Sequence, residues 1–224
     1  MQASDVMTRN VLVIGSDASV AEAARLLADN DISALPVVDE QNQVVGIISE
    51  ADLIRRTEIG TEKRRPWWIE AVTPAATLAE EFAKSYGSKV SDLMSREVIS
   101  VAEDASLQDV ATVLERHRIK RVPVLAANGR LAGVVSRSNL VQALASIPPQ
   151  VQVQEADRTA RLELLARLAE QSWTDFGDRN ITVVGGVAHI WGLVGSPEER
   201  KGLIALAETV PGINGVKDEM IAAY

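Results

Sequence analysis

The residues best placed to do chemistry lie in two short stretches. "GIISEAD" (46–52) returns 87 positions later as "GVVSRSN" (133–139): a Gly, two apolar residues, a Ser, and then Asp52 or Asn139 three places beyond that Ser. A hydroxyl and a carboxylate at this spacing suit a helix start, where each can accept from an N–H group the helix leaves open. Asn139 keeps the hydrogen bonding and gives up the charge. Lys120-Arg121 precedes the second stretch, and on its own such a pair reads as solvated surface. The two histidines, His117 in "ERHRIKR" and His189 in "VAHIWG", belong to no His-x-x-x-His or nucleophile-elbow context. Each reads as a surface or satisfied structural histidine. Glu80-Glu81 and Glu198-Glu199 fall at helix positions where solvation or the helix dipole accounts for them. With no Walker loop and no dinucleotide glycine fingerprint, the expectation is a protein that is not an enzyme.

The elements that hold these residues are themselves duplicated. Sliding the chain on itself by 87 residues aligns 5–56 with 92–143 without a gap, and 15 of the 52 pairs are identical, among them Met7/Met94, Pro36/Pro123, Gly46/Gly133 and Ser49/Ser136. Two copies of one structural unit are the economical explanation. In each, a β-favouring run ("NVLVI", "EVISV") leads to an acid and a capping Ser. A helix follows, with Val20, Ala23, Ala24 and Leu27, or Leu107, Val110, Ala111 and Leu114, along one face. Two apolar runs around a polar turn come next, and Asn128-Gly129 is a good turn pair. A second helix then starts after Ser49 or Ser136, with "EADLIRR" or "RSNLVQALA". A β-α-β-β-α unit of about 50 residues cannot cover both helix faces alone, and two copies together can.

Composition narrows the remaining choices. The 224 residues are 46% apolar and include no Cys, which removes disulfides, thiolate metal sites and cysteine nucleophiles; no other metal site is expected. Residues 1–150 and 151–224 are each net −4, so neither part has the basic excess of a nucleic-acid binder. No run approaches the roughly 18 apolar residues of a membrane span, and the N-terminus does not resemble a signal peptide. A cytoplasmic protein is expected. Between the copies, residues 57–91 hold four of the eight aromatics, Trp67, Trp68, Phe82 and Tyr86. "TPAATLAEEFAKSYG" there reads as a capped helix stopped by Gly87, and Trp67-Trp68 after "KRR" reads as a packing plug.

"ISALPVVDEQNQVVGIISEADLI" and "IKRVPVLAANGRLAGVVSRSNLV" resemble the two halves of a cystathionine-β-synthase (CBS) domain pair, the Bateman module. The resemblance implies an α/β (α+β) fold whose two repeats leave two clefts, each able to take an adenosine-containing ligand. It implies that Ser49 and Asp52 face ribose and phosphates in one cleft, since a carboxylate can accept both ribose hydroxyl protons and a helix start favours phosphate. Adenine would lie between aliphatic walls such as Ile32, Ala34 and Ile47, beside Ser33, because the repeats hold no aromatic residue. In the other cleft Ser136 is kept, Asn139 weakens the ribose bond, and Lys120 and Arg121 stand where related modules place basic residues toward phosphate. The ligand is regulatory, an adenine nucleotide of the AMP, ADP or ATP type with or without Mg2+, and no catalytic cofactor is expected. Related modules also commonly pair as homodimers.

Past Pro148-Pro149 the pattern restarts as α-β-β-α-β: "DRTARLELLARLAEQS", "ITVV", Gly185-Gly186, "VAHIWGLVG", a helix capped by Ser196 with Glu199 as the reciprocal box residue, and a final strand in "PGINGVKDEMIAAY". This order resembles a BON domain, and a CBS pair followed by BON resembles a bacterial architecture. The expected boundaries are 1–56 and 92–147 for the repeats, 57–91 for a helical, aromatic connector packed on the module, 148–155 for a linker and 156–224 for the BON domain. A nucleotide sensor that relays its state to the BON domain is the leading expectation. The alternative is a nucleotide-independent dimeric scaffold whose BON domain binds lipid or a protein, and a hydrolase acting on the nucleotide comes last.

Overall fold

Ser19 and Ser106 start the architecture twice. Each has extended backbone and accepts, through Oγ, the N–H three residues on, Glu22 or Asp109, at 3.1 Å. The computed structural model describes the chain apart from residues 55, 57–58, 62–68, 70–72, 147–150, 176–180 and 224, and of residues 80, 81, 83 and 84 it describes the backbone. Trp67, Trp68 and Pro148-Pro149 lie outside the described residues.

A short helix α1 (Ala3–Val6) precedes the first copy: β1 (Ile14–Gly15), α2 (Val20–Asp29), β2 (Ala34–Val38), β3 (Val44–Ser49) and α3 (Glu50–Leu53). Helices α4 (Ala75–Tyr86) and α5 (Val90–Leu93) lead to the second copy: β4 (Val101–Ala102), α6 (Leu107–Arg116), β5 (Arg121–Leu125), β6 (Leu131–Ser136) and α7 (Arg137–Ser146). The sheets run β1-β2-β3 and β4-β5-β6, with the first strand of each parallel to its neighbour. Helix α4 forms where the connector's pattern predicts one.

Three details differ from the sequence reading. The runs "NVLVI" and "EVISV" contribute one residue each, Ile14 and Val101, to strands of two residues, and just upstream of the runs Thr8 bridges to Val134 and Ser95 to Ile47. The helix after Ser49 is four residues long, against ten after Ser136. Ala24 is exposed, so the buried face of α2 rests on Ala23 and Leu27.

The chain divides into two compact units. One comprises residues 12–99 with 129–131, the other 1–11, 100–128 and 132–224. The first unit packs Leu27, Leu35, Val37, Ile48, Val90, Leu93 and Met94 into one core. There, a Cβ on Gly46 would meet the Met94 Sδ at 2.5 Å and the Ser95 carbonyl oxygen at 3.2 Å. In the second unit, a Cβ on Gly133 would meet the Thr8 carbonyl oxygen at 2.6 Å and the Met7 Sδ at 2.7 Å. Both glycines serve close approach.

The second unit also contains α8 (Glu155–Ala169), β7 (Ile181–Val184), β8 (Val187–Val194), α9 (Pro197–Glu208) and β9 (Gly215–Ala222), with sheet order β7-β8-β9. Gly185 and Gly186, both at positive φ, close the β7–β8 hairpin. Ala160, Leu164, Ile181, Ile190, Leu203 and Met220 centre the core between the two helices and one sheet face. Alternation along the strands puts Thr182, His189 and Trp191 on the opposite face. Ser196 caps α9 by accepting the Glu199 N–H, but Glu199 Oε2 accepts from Gly195 N–H at 2.8 Å, one residue upstream of the reciprocal partner a capping box would use.

Candidate functional site

The residues expected to line the first cleft come together where β2 begins and β3 ends. Ala34 pairs with Ser49 and Pro36 with Ile47, while the Ser33 carbonyl accepts the Glu50 N–H at 3.1 Å. Ile32 precedes this pairing and is half-buried, its N–H held by the Leu27 carbonyl. Ser49 is the N-cap of α3. Its N–H and its hydroxyl both donate to Asp52 Oδ2, at 2.9 and 2.6 Å. The capping role read from Ser-x-x-Asp is therefore filled, and both bonds fall on one carboxylate oxygen of a half-buried side chain. Ser95, which the sequence reading did not single out, exchanges two backbone bonds of 2.9 Å with Ile47 and so lies beside these residues.

The second cleft repeats the frame with other side chains. Arg121 opens β5 and Ser136 ends β6; the Lys120 carbonyl accepts the Arg137 N–H at 3.1 Å. The Ser136 N–H and hydroxyl donate to Asn139 Oδ1 at 2.8 and 2.6 Å, as at Asp52, but Asn139 is buried. Lys120 is exposed and Arg121 half-buried, so the basic pair presents one cation to solvent and one to the protein. Thr8 stands beside these residues as Ser95 stands beside the first set, exchanging two bonds of 2.9 Å with Val134. The pairs Thr8/Ser95 and Met7/Met94 are legible in the internal alignment; their partners are not.

Elsewhere, His117 is exposed, whereas His189 is buried. Burial pushes the His189 imidazole below its ordinary 6.5, Glu219 opposes the shift, and Lys217 adds to it. Its Nδ1 lies 3.9 Å from Glu219 Oε1 and has no hydrogen-bond partner among the described residues, so it is not the satisfied histidine expected. No cluster of three or more His, Asp or Glu able to hold a metal occurs among the described residues, and no described helix is long and apolar enough to cross a membrane.

The CBS domain family matches residues 3–58 and 90–146, the two copies of the repeat. The chain belongs to the CBS domain family. A BON domain follows over residues 156–223. The chain is 32% identical over 154 residues to protein MJ1426 of Methanocaldococcus jannaschii, covering 64% of this chain and 91% of that protein. It is 30% identical over 150 residues to the chloroplastic CBS domain-containing protein CBSX2 of Arabidopsis thaliana, over 64% of this chain and 63% of the relative. A crystal structure of CBSX2 in complex with AMP matches with a TM-score of 0.56 and 31% identity, covering 64% of this chain and 96% of that one.

Proposed function

We propose that this CBS-BON protein is a non-enzymatic regulator whose CBS pair binds an adenosine-containing ligand and whose BON domain responds. The observation that carries the reading is the doubled Ser-x-x-Asp/Asn turn at the strand ends, on a frame like that of a protein crystallised with AMP. In the first cleft, Asp52 accepts the ribose hydroxyls, Ser49 holds the carboxylate, and Ile32, Ala34 and Ile47 flank the base. In the second, Asn139 replaces the charged acceptor and Lys120 and Arg121 face phosphate. A neutral acceptor forms the weaker bond, so the first cleft binds a nucleoside more tightly.

Thermal unfolding with AMP, ADP, ATP and S-adenosylmethionine, in native protein and Asp52→Ala, tests this. A ligand at 100 times its Kd adds about 2.7 kcal/mol to native stability. A rise in Tm with one compound, diminished in Asp52→Ala, is expected. No rise with any of them in folded, nucleotide-free protein overturns the reading. Unchanged ATP after prolonged incubation is the expected result of a turnover assay.

A second reading, a dimeric scaffold indifferent to nucleotide, is favoured by the apolar side chains α7 leaves in solvent, Val141 at 66% and Leu144 at 77% exposure. Both readings expect a homodimer, measured as the mass by light scattering. Vesicle co-sedimentation indifferent to AMP supports the scaffold.

A further inference from the structure

Buried polar groups join the BON domain to the N-terminal segment 4–7 and to the end of the second repeat. Arg161, on α8, is 3% exposed. Its Nε donates to the Ile181 carbonyl at 2.9 Å, its Nη2 to the Met7 carbonyl at 2.9 Å and its Nη1 to the Ser4 carbonyl at 3.4 Å. One guanidinium thus ties the BON helix, the first BON strand, and α1 with the residue that follows it. One turn away Arg158 donates to the buried Asp5, with Nε 2.7 Å from Oδ1 and Nη2 3.3 Å from Oδ2. On the face of the BON sheet turned away from its own helices, Thr182 Oγ1 and Trp191 Nε1 lie 2.9 and 3.2 Å from the hydroxyl of Ser146, the buried last residue of α7.

Each joint leads back to the second cleft. Met7 precedes Thr8, whose backbone pairs with Val134, two residues before Ser136. Helix α7 starts at the Ser136–Asn139 cap and ends at Ser146, an unbroken rod of ten residues. A displacement of the cap travels along a rod or a paired strand with little loss, whereas a flexible linker would absorb it.

We propose that segment 4–8 and α7 form a two-armed lever that passes the state of the second cleft to the BON sheet, with Arg161 as the positioning residue that fixes one arm and Ser146 fixing the other. The lever names the parts of the regulation proposed above and rests on that reading for its ligand. It acts only when cleft occupancy favours one arrangement of the cap over another.

Hydrogen exchange of the full chain, with AMP as the probe and calorimetry on the same samples, provides the test. AMP is expected to change exchange over residues 181–194 in the native protein. Arg161→Met should reduce that change by roughly two-fold or more while AMP affinity stays within about two-fold. Ser146→Ala, which keeps every charge, should reduce it less and serves if Arg161→Met does not fold. A third variant, Asn139→Ala, disturbs the cap without any ligand and should also alter exchange over 181–194. Calorimetric binding of AMP that persists in Asp52→Ala, and so fills the second cleft, with those residues unchanged overturns the lever, as does an unaltered response in both Arg161→Met and Ser146→Ala. Absence of AMP binding together with a response to Asn139→Ala overturns AMP as the ligand and keeps the lever. Absence of both overturns the lever as well.

Discussion

Residues 3–8 and 90–95 are two copies of one turn placed in different surroundings. Each is a four-residue helix whose third residue, Asp5 or Asp92, accepts the N–H of the cap residue, Gln2 at 2.8 Å or Lys89 at 3.0 Å. Each is followed by a Met beside a strand glycine and by a residue that bridges to a strand. Asp92 remains exposed and also accepts from the Ser88 N–H. Asp5 is 3% exposed and lies under Arg158, which its carboxylate keeps strongly protonated. The local turn is thus the same, and the BON domain converts one copy into a buried ionic joint. A cap in solvent contributes its own hydrogen bond, while a cap under a guanidinium also supports whatever carries that guanidinium.

Removing the two carboxylates in turn breaks this comparison most directly. Asp5→Ala leaves a partly covered guanidinium without its acceptor and should cost about 2–3 kcal/mol, at the low end for a broken buried pair because Arg158 keeps some solvent. Asp92→Ala should cost about 1 kcal/mol, the worth of a cap. Urea unfolding of both variants reads the difference, and equal costs would remove the distinction.

The glycines beneath the two turns form a second, smaller contrast. At Gly133 a new Cβ meets a backbone carbonyl, which cannot swing aside, whereas at Gly46 the nearest atom is the far end of a Met side chain. Gly133→Ala is expected to lower stability by about 2 kcal/mol and Gly46→Ala by about 1 kcal/mol. The reverse order would mean that Met94 is held more rigidly than the Thr8 backbone.

The smallest effect concerns pH. His189 is neutral in its buried position, with its pKa below 6.5, so the unfolded chain binds the proton more readily. Its contribution is fully present above about 6.5 and is lost as pH falls toward the depressed value. Native protein should lose Tm between about pH 7.5 and 5.5 more steeply than His189→Gln, as followed by calorimetry. Parallel slopes would show that the imidazole takes up its proton equally in the folded and unfolded chain, so that burial does not shift it.

The repeat pattern was legible because each copy follows local rules: a Ser cap, a 3.6-residue apolar period, an alternating hairpin and a Ser-x-x-Asp/Asn turn. The same rules revealed the hairpin and capped helix of the BON domain. They could not show that Met7 and Met94 fill the space over Gly133 and Gly46, since those partners lie 126 and 48 residues apart. Nor could they set the length of α3 or the first strands, which depends on where neighbouring residues find backbone partners.

By itself, the sequence determined the CBS pair, the BON domain and the inequality of Asp52 and Asn139, because side-chain type and spacing are written along the chain. Only the tertiary structure decided that Asp5 and Arg161 are buried in one joint while Asp92 stays in water. Burial and the pairing of charges depend on which distant surface arrives, and neither Asp5 nor Asp92 carries any local mark of it.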